Sequence, residues 1–494
     1  MGKSLKQHTI AGMVWSSIGK FGTLGISFLS NIILARILMP EDFGMIGMLY
    51  IFLAISQTFI NGGLGTALVQ RKEPTHVDYS TVFYWNLTFA IFFVIILHFT
   101  SPLIAQFYRM AELKNILRVQ SIILIINSFS LVPATYLQKN LRFKELSVRN
   151  IIAALIGMIA AVSMAYTGFG VWSLVYSNLL TGVASVILLW RMSSWRPTWE
   201  FSFESLKSLF SFGGLILLSA LVETIYVNIQ GLIIGKAFSA TKLGYYTQAK
   251  KLEEVPSASL SAIVNEVSFP VFSKLQDDRQ ILKRGVQKSI KSVVYLNFPL
   301  MVLLIVIAHP LFILLYTAKW ETSVPYFQIL CLGSMLYTLN TVNTNVIKSL
   351  GKGNIYFILQ FSKRLIGVVC ILLSVRFGIE AMLWTIMAMQ YIFFFINAVV
   401  NGKLINYGLW AQIKDVIGSY FLAAVAGVVS YFALHGTPLN EYLIMIMQII
   451  LFALIYFGAS ALLKMEGFLT YKEIIINVVR SKFKKFNKHG NTLD

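Results

Sequence analysis

The sequence predicts an all-α polytopic membrane protein with about fourteen transmembrane helices. Of its 494 residues, 57% are hydrophobic and only 13% are charged, and the mean hydropathy is +0.71. Soluble domains carry about 25% charged residues, so a chain this apolar lacks the polar groups needed to cover a surface in water. Apolar runs of about 20 residues, the length that crosses a bilayer as a helix, recur from end to end.

The apolar runs define the predicted spans in order. They cover residues 10–36, 44–69, 79–101, 117–138, 148–168, 170–190, 209–235, 244–272, 292–316, 325–349, 355–376, 379–401, 414–434 and 441–463. The eighth run is the least apolar, because its first part reads YYTQAKKLEEVPSASL. A strict hydropathy threshold would omit it, which would leave an odd number of spans and put the two chain ends on opposite sides.

The distribution of Lys and Arg supports the even count. With the N-terminus inside, twenty-eight of the 41 Lys and Arg fall in cytoplasmic segments and eight in outer segments. Such an excess is typical of cytoplasmic loops, so both termini are predicted to be cytoplasmic. Topology therefore explains most of the net charge of +20, and no nucleic-acid partner is expected.

Several classes of site are not predicted. Cys331 and Cys370 fall inside predicted helices, which argues against a disulfide framework and a metal site. The apolar region after the basic start runs too far for a signal peptide. Because no Walker loop, zinc motif or nucleophile constellation is found, we predict no catalytic residues and no enzyme activity.

An internal repeat divides the chain. A shift of 200 residues aligns LARILMPEDFG, residues 34–44, with IGKAFSATKLG, residues 234–244. Both segments place a cation at the end of one helix and a glycine turn before the next. Six helices per half predict two lobes related by a pseudo-two-fold axis along the membrane normal, with a substrate path at their interface. The predicted parts are a first lobe at 1–200, a second at 201–405, two extra helices at 406–465 and a basic cytoplasmic tail at 466–494.

Five motifs carry a resemblance to a known family. They read LARILMPEDFG, GGLGTALVQR (residues 62–71), GFGVWSLV (168–175), FSFGGLIL (210–217) and LGYYTQAKKLEEVP (243–256). In this order the sequence resembles the Wzx-type polysaccharide flippases of the multidrug/oligosaccharidyl-lipid/polysaccharide exporter superfamily, in particular the capsular, colanic or teichuronic branch. Pro40, Glu41 and Asp42 of the first motif are expected to be structural, since proline and acidic residues suit a helix start.

The resemblance implies a function. Proteins of this family expose two six-helix lobes alternately to each side of the bacterial cytoplasmic (inner) membrane. The implied substrate is an oligosaccharide on undecaprenyl diphosphate, which is built inside and displayed outside for polysaccharide export. The implied partners are this lipid-linked oligosaccharide, membrane lipids, a polysaccharide polymerase and the export machinery.

Four predicted helices carry polar side chains at helical spacing. An ionised group at the bilayer centre costs at least about 2.5–3.5 kcal/mol, so it faces a partner or a hydrated space. The stripes are Ser16, Lys20, Thr23, Ser27 and Asn31 in the first helix; Glu223, Val227 and Gln230 in the seventh, flanked by Tyr226 and Asn228; Lys251, Glu254, Ala258, Ser261 and Asn265 in the eighth; and Ser334, Tyr337, Thr341 and Thr344 in the tenth.

We predict that these stripes line a hydrated cavity. The cations predicted to bind the diphosphate are Lys20, Lys250, Lys251, Lys363 and Arg364, and the polar groups predicted to contact the glycan are Thr23, Ser27, Asn31, Asn228, Gln230, Ser261, Tyr337 and Thr341. Glu223, with no cation at i±3 or i±4, and Glu254 are predicted to couple transport to a Na⁺ or H⁺ gradient or to the membrane potential. No cofactor is expected.

Each prediction has an alternative. Polar stripes also join helices to one another, and Lys250 with Glu254 has the i,i+4 spacing of a structural ion pair. Lys363 and Arg364 have the alternative of extending to the membrane surface. The basic residues 274–291 suit anionic lipid headgroups, although the positive-inside bias alone accounts for them. The alternative functions are a lipid II flippase, a drug/cation antiporter, which the cationic surplus disfavours, and a membrane enzyme, which the short outer loops disfavour.

Overall fold

The computed structural model describes residues 2–434, 436–473 and 476, with side chains from Ala11 onward except Phe212 and Leu215. This part of the chain is helical and contains no strand. Its helices are α1 (Gly2–Ile37), α2 (Pro40–Asn61), α3 (Leu64–Gln70), α4 (His76–Tyr108), α5 (Leu113–Gln120), α6 (Ile122–Lys139), α7 (Phe143–Tyr166), α8 (Val171–Met192), α9 (Phe203–Ala237), α10 (Ala240–Lys274), α11 (Arg279–Val306), α12 (Ala308–Tyr316), α13 (Ser323–Ser349), α14 (Gly353–Ser374), α15 (Ile379–Ile405), α16 (Leu409–Phe432) and α17 (Glu441–Leu462). Most of the predicted tail, from residue 477, lies outside the described residues.

The predicted all-α architecture is confirmed, whereas the count of fourteen spans stays a prediction. In the described part of the chain, 12 helical segments are long and apolar enough to cross a membrane. Two long helices are not among them: α10, with 35 residues, and α13, with 27. At a rise of about 1.5 Å per residue, both exceed the hydrocarbon thickness of about 30 Å. They are two of the four helices predicted to carry polar stripes.

The start of the ninth predicted span is wrong. α11 begins at Arg279, well before residue 292. The Asp278 carboxylate accepts hydrogen bonds from the backbone N–H groups of Gln280 and Ile281, at 2.8 and 3.0 Å, and so caps the helix. The basic residues after the cap therefore lie on a helix and not in a loop. Hydropathy missed these turns because it detects only the apolar part of the helix.

Contacts divide the chain into two compact units, one up to Thr247 and one from Gln248. In the first unit α1 packs on α7, α7 on α8, α4 on α6 and α9 on α2. In the second, α13 packs on α15 and α11, and α16 packs on α11 and α17. The contacts group residues that lie close together, whereas the predicted lobes come from the internal repeat. The division by contacts therefore does not test the lobes, which stay a prediction.

The two segments of the repeat pack against each other within the first unit. A Cβ atom at Gly44 would lie 1.7 Å from the carbonyl oxygen of Ala240, and one at Gly244 would lie 1.8 Å from that of Pro40. In the 200-residue register Gly44 is equivalent to Gly244 and Pro40 to Ala240, so each contact is the repeat of the other. A two-fold axis produces such reciprocal contacts. Glycine is required because the backbones meet with no room for a side chain.

We expect Gly44→Ala and Gly244→Ala each to destabilise the protein by about 1–3 kcal/mol, because the added methyl group must push the opposing carbonyl away. The measurement is the midpoint of thermal unfolding in detergent. Gly25→Ala in α1 is the matched control, since a Cβ there meets nothing within 4 Å. Equal midpoints for all three variants would contradict the close reciprocal contact.

Candidate functional site

Helix α1 uses different faces for packing and for its polar stripe. Its packing face meets α7 at Gly19, where a Cβ would lie 2.6 Å from Ser147 Oγ, and this hydroxyl donates to the carbonyl of Trp15 at 2.7 Å. Lys20 and Ser27 are exposed. Thr23 and Asn31 of the same stripe are half-buried. The packing of α1 on α7 therefore leaves the Lys20 side chain exposed. A cation that binds substrate must be exposed in this way.

The polar residues of α9 point in several directions. Glu223 is exposed. Asn228 is half-buried and its amide donates to the Thr224 carbonyl of its own helix at 2.7 Å, while the Thr224 and Thr58 hydroxyls join α9 to α2 at 3.0 Å. Gln230 accepts a hydrogen bond from the Tyr246 hydroxyl at 2.5 Å. Gln230 thus follows the alternative in which polar stripes join helices, and Thr224 is a contact residue that the sequence reasoning did not name.

Ser261 is buried in a seam between α10 and α13. Its hydroxyl lies 3.3 Å from that of Thr338, which is also buried, and further along the Asn345 amide donates to Asn265 Oδ1 at 3.0 Å. The prediction that Ser261 lines an open cavity is not met in this structure, because its side chain fills a helix contact. Tyr337, on the other hand, is exposed. Thr341 is half-buried and its hydroxyl donates to the Tyr337 carbonyl.

The four charges of the polar segment in α10 have different surroundings. The predicted pairing of Lys250 with Glu254 is confirmed, with 3.8 Å between Nζ and Oε1. Both side chains are partly exposed, so the pair adds little stability. Lys251 is exposed. Glu253 is buried with 6% exposure; its side chain interacts with Ser334, and its Oε1 atom has no hydrogen-bond partner.

Glu253 is a residue that the sequence reasoning missed. The predicted stripe ran through Glu254, whereas the buried face of α10 runs through Glu253, Ser257 and Ser261. These three residues are spaced by four, so helical periodicity contained the signal. It was missed because α10 has two series of polar residues at helical spacing, one through Glu253 and one through Glu254. Each series lies on one face of the helix, so spacing alone did not tell which of them is buried.

Lys363 is buried among α13, α14 and α15. Its ammonium group donates to Asn397 Oδ1 at 3.0 Å and lies 5.6 Å from the centre of the Phe393 ring. The Asn397 amide in turn donates to Asn340 Oδ1 at 2.8 Å. Lys363 therefore neither lines an open space nor extends to the membrane surface in this structure. The reason is its phase, because Gly367, one turn further along the same face of α14, is also buried. Arg364, on the neighbouring face, is half-buried.

A second polar network in the same unit was not anticipated. The Asn343 amide donates to Gln412 Oε1 at 2.9 Å, and the Asn401 amide donates to Asn343 Oδ1 at 2.7 Å. All three residues are fully or almost fully buried, on α13, α16 and α15. Amide side chains inside apolar runs were the available signal, but the sequence does not tell which helices meet.

An ion cluster continues from this network. The Gln412 amide donates to the carbonyl of Tyr407, whose hydroxyl donates to Asp415 Oδ2 at 2.8 Å. Burial raises the pKa of Tyr407, so this hydroxyl remains a neutral donor. Lys291 of α11 contacts Asp415 at 3.2 Å and Glu466, which follows α17, at 2.5 Å. The cluster joins the two extra helices to the rest of their unit.

The first unit also contains polar contacts that the sequence did not indicate. The Asn127 amide of α6 donates to Gln57 of α2 at 3.0 Å. Arg149, which was counted in a cytoplasmic segment, lies in α7 and donates to the Ser185 hydroxyl of α8 at 2.8 Å. Its Nε atom is buried without a partner. Arg149 is therefore a further cation within a membrane helix.

Comparison with known proteins identifies the family. A family described as "Polysaccharide biosynthesis protein" matches residues 33–325, more than half of the chain. The chain belongs to this family. Similar proteins include the Bacillus subtilis (strain 168) teichuronic acid biosynthesis protein TuaB, 24% identical over 87% of this chain and 89% of that protein. The Escherichia coli (strain K12) lipopolysaccharide biosynthesis protein WzxC is 24% identical over 72% of each chain. The Rhizobium meliloti (strain 1021) succinoglycan biosynthesis transport protein ExoT is 26% identical over 75% of each chain.

Solved structures share the fold of this polysaccharide biosynthesis protein. The lipid II flippase MurJ matches with a TM-score of 0.75 and 16% identity, over 94% of this chain and all of MurJ. An inward-facing multidrug resistance transporter of the MATE family, in the MOP superfamily, matches with a TM-score of 0.58 and 16% identity, over 84% of this chain and 98% of the transporter. The predicted resemblance and fold class are thus confirmed.

We expect Asn397→Ala to destabilise this family member by about 1.5–3 kcal/mol, because the Lys363 ammonium loses a charge-assisted hydrogen bond. The double variant Lys363→Met/Asn397→Ala should be more stable than Asn397→Ala alone, since no buried charge then needs a partner. The measurement is the free energy of unfolding in detergent, with exposed Asn115→Ala as the control. Additive effects of the two substitutions would contradict the coupling.

Proposed function

We propose that this protein is a flippase that moves an undecaprenyl-diphosphate-linked oligosaccharide from the cytoplasmic to the outer leaflet by alternating access. It acts in the bacterial cytoplasmic membrane, with both termini in the cytoplasm, and supplies a precursor for a cell-surface polysaccharide. A polymerase on the outer side of the membrane then uses the exported precursor.

One observation carries the proposal: long helices of a membrane protein present exposed cationic side chains. Lys20 of α1 and Lys251 of α10 are exposed, in helices long enough to cross the bilayer. A charged head crosses about 30 Å of hydrocarbon only where protein groups and water replace its hydration. Cations on such faces suit a diphosphate, while the polyprenyl tail stays in lipid.

The names of the relatives support a glycan as cargo. TuaB, WzxC and ExoT are named for teichuronic acid, lipopolysaccharide and succinoglycan, which are different polymers. Related proteins that handle such different glycans need a common feature to recognise. A lipid diphosphate that is present on every precursor provides this feature. The cations then bind the diphosphate, and the side chains around them tolerate different sugars.

The charge distribution supports the orientation and the crossing of α10. If α10 did not cross, the next helix would enter the membrane from the outside, and the basic residues 274–291 would face outward. That arrangement violates the positive-inside bias, which favours Lys and Arg in cytoplasmic segments. The same bias favours a membrane-crossing α13, which returns the chain to the cytoplasm at Lys348 and Lys352.

Removal of either exposed cation should stop flipping. We expect Lys20→Ala and Lys251→Ala each to reduce transport of a fluorescent undecaprenyl-diphosphate oligosaccharide at least about tenfold, the effect of losing one charge-assisted contact. The measurement is the fraction of the glycan that becomes accessible to a membrane-impermeant quencher in reconstituted vesicles. Lys352→Ala is the control, because Lys352 is exposed in the turn between α13 and α14.

Transport by both variants at the rate of the native protein would refute the role of these cations. Vesicles with lipid II or with a cationic dye in place of the oligosaccharide test the two alternative cargoes. Transport of the dye alone would replace the proposal with that of a drug antiporter, and transport of lipid II alone would restrict the cargo to that lipid.

Glu223 is proposed to couple transport to an ion gradient. It is exposed on α9, and Glu254 on α10 is the second proposed carboxylate. In vesicles with an imposed H⁺ or Na⁺ gradient, Glu223→Gln should remove the response of the transport rate to the gradient, because the amide does not bind the ion. Glu380→Gln, at the start of α15, is the matched control. An unchanged response in Glu223→Gln would discard the role of this residue.

A further inference from the structure

A basic cavity lies at one end of the second unit. Its volume is about 390 Å³, and it opens between the first turns of α11 and the last turn of α15. Its lining residues are Arg279, Gln280, Lys283, Arg284, Gln287, Ile405 and Asn406. The lining thus contains three cations and three amide side chains but no carboxylate. Its size falls within the range of small-ligand sites.

Two carboxylates near this cavity, those of Asp278 and Asp415, have partners of their own. Asp278 caps α11 through two backbone N–H groups. Asp415, which the Gln287 amide approaches to 3.5 Å, contacts Lys291 at 3.2 Å and accepts from Tyr407. Within the described part of the chain, Lys283 and Arg284 form no salt bridge. The cavity therefore holds two cations that no salt bridge within the described residues neutralises.

The walls of the cavity are joined by a specific contact. The Arg279 guanidinium donates to the carbonyl oxygen of Leu404, so it ties the start of α11 to the end of α15. Asn406 ends α15 in the left-handed conformation, with φ of 53°, and its N–H bonds to the Gly402 carbonyl. Lys283 and Arg284 follow Arg279 on the same helix, so this contact also holds the part of the backbone from which they project.

We propose that this cavity binds the phosphate group of an anionic lipid at the cytoplasmic surface of the membrane. The inference rests on the proposed function for its orientation, which puts the start of α11 and the end of α15 at the cytoplasmic headgroup layer. Basic pockets between membrane helices on this side accept anionic headgroups. Lys283 and Arg284 donate to the phosphate oxygens, and the amides of Gln280 and Asn406 are available to the rest of the headgroup.

Two lipids carry this chemistry. One is an acidic phospholipid of the membrane, and the other is the diphosphate carrier of the cargo before it enters the transport path. Both lipids present phosphate oxygens at the headgroup layer. The cavity is therefore assigned to the phosphate group that the two lipids share. Binding of the carrier would make the cavity a loading site, whereas binding of the phospholipid would make it a site that anchors the second unit to the bilayer.

The test compares two double variants of equal charge. Lys283→Gln/Arg284→Gln removes the unpaired cations of the cavity, and Lys274→Gln/Lys288→Gln removes two nearby cations outside it. The full-length protein in neutral detergent is titrated with fluorescent phosphatidylglycerol, undecaprenyl diphosphate or phosphatidylcholine, and anisotropy gives each Kd. We expect the cavity variant to bind at least one anionic lipid at least about tenfold more weakly, as for the loss of one charge-assisted contact. The control variant should change the Kd less than about twofold.

The outcomes distinguish the two lipids from each other and also test whether the cavity binds an anionic lipid at all. Tighter binding of undecaprenyl diphosphate than of phosphatidylglycerol identifies a loading site, and equal or weaker binding identifies a phospholipid site. Equal losses in both double variants, or no preference of the native protein over phosphatidylcholine, would overturn the proposal. If the cavity variant has a lower unfolding midpoint, Lys283→Gln and Arg284→Gln are measured singly. Because the assay measures binding at equilibrium, its result is independent of whether the protein transports the oligosaccharide.

Discussion

The structure depends on one constraint: hydrocarbon offers no hydrogen-bond partner, so each polar side chain in a membrane helix needs one inside the protein or in water. The constraint is visible where Lys363 contacts Asn397, where Asn343 contacts Gln412, and where Asn127 contacts Gln57. Each contact joins two helices, α14 to α15, α13 to α16 and α6 to α2. Polar groups therefore add directional contacts between helices to the packing of their apolar and glycine surfaces.

The same constraint sorts the candidate site. A polar group that is buried and bonded, such as Ser261 or Lys363, stabilises helix packing in this structure. Lys20 and Lys251 are exposed on long helices, and an ionised group within the membrane faces a partner, water or a ligand. Exposure therefore distinguishes the side chains that fill helix contacts from those that stay proposed binding residues. Glu253, buried with one carboxylate oxygen lacking a partner, belongs to neither group.

Much of the fold could be predicted because apolar length is a direct consequence of bilayer thickness. Each predicted span matches a helix or a pair of helices, and the 200-residue register places Gly44 and Gly244 at the same position near the starts of α2 and α10. The site was less predictable for two reasons. Helical phase decides whether Glu253 or Glu254 is buried, and an error of one residue reverses the answer. Partners such as Asn401 and Gln412 lie on different helices, and a single sequence does not indicate which helices meet.

The cations of α11 show how position along one helix changes the use of a charge. Lys291 contacts two carboxylates, those of Asp415 and Glu466, and so joins α11 to α16 and to the residues after α17. Lys283 and Arg284 lie about two turns nearer the start of the same helix and line the basic cavity, where they form no salt bridge within the described residues. One helix therefore uses one cation to hold the extra helices in their unit and supplies two others to the proposed lipid site. The positive-inside bias alone explains the number of these charges but not their enclosure in one cavity.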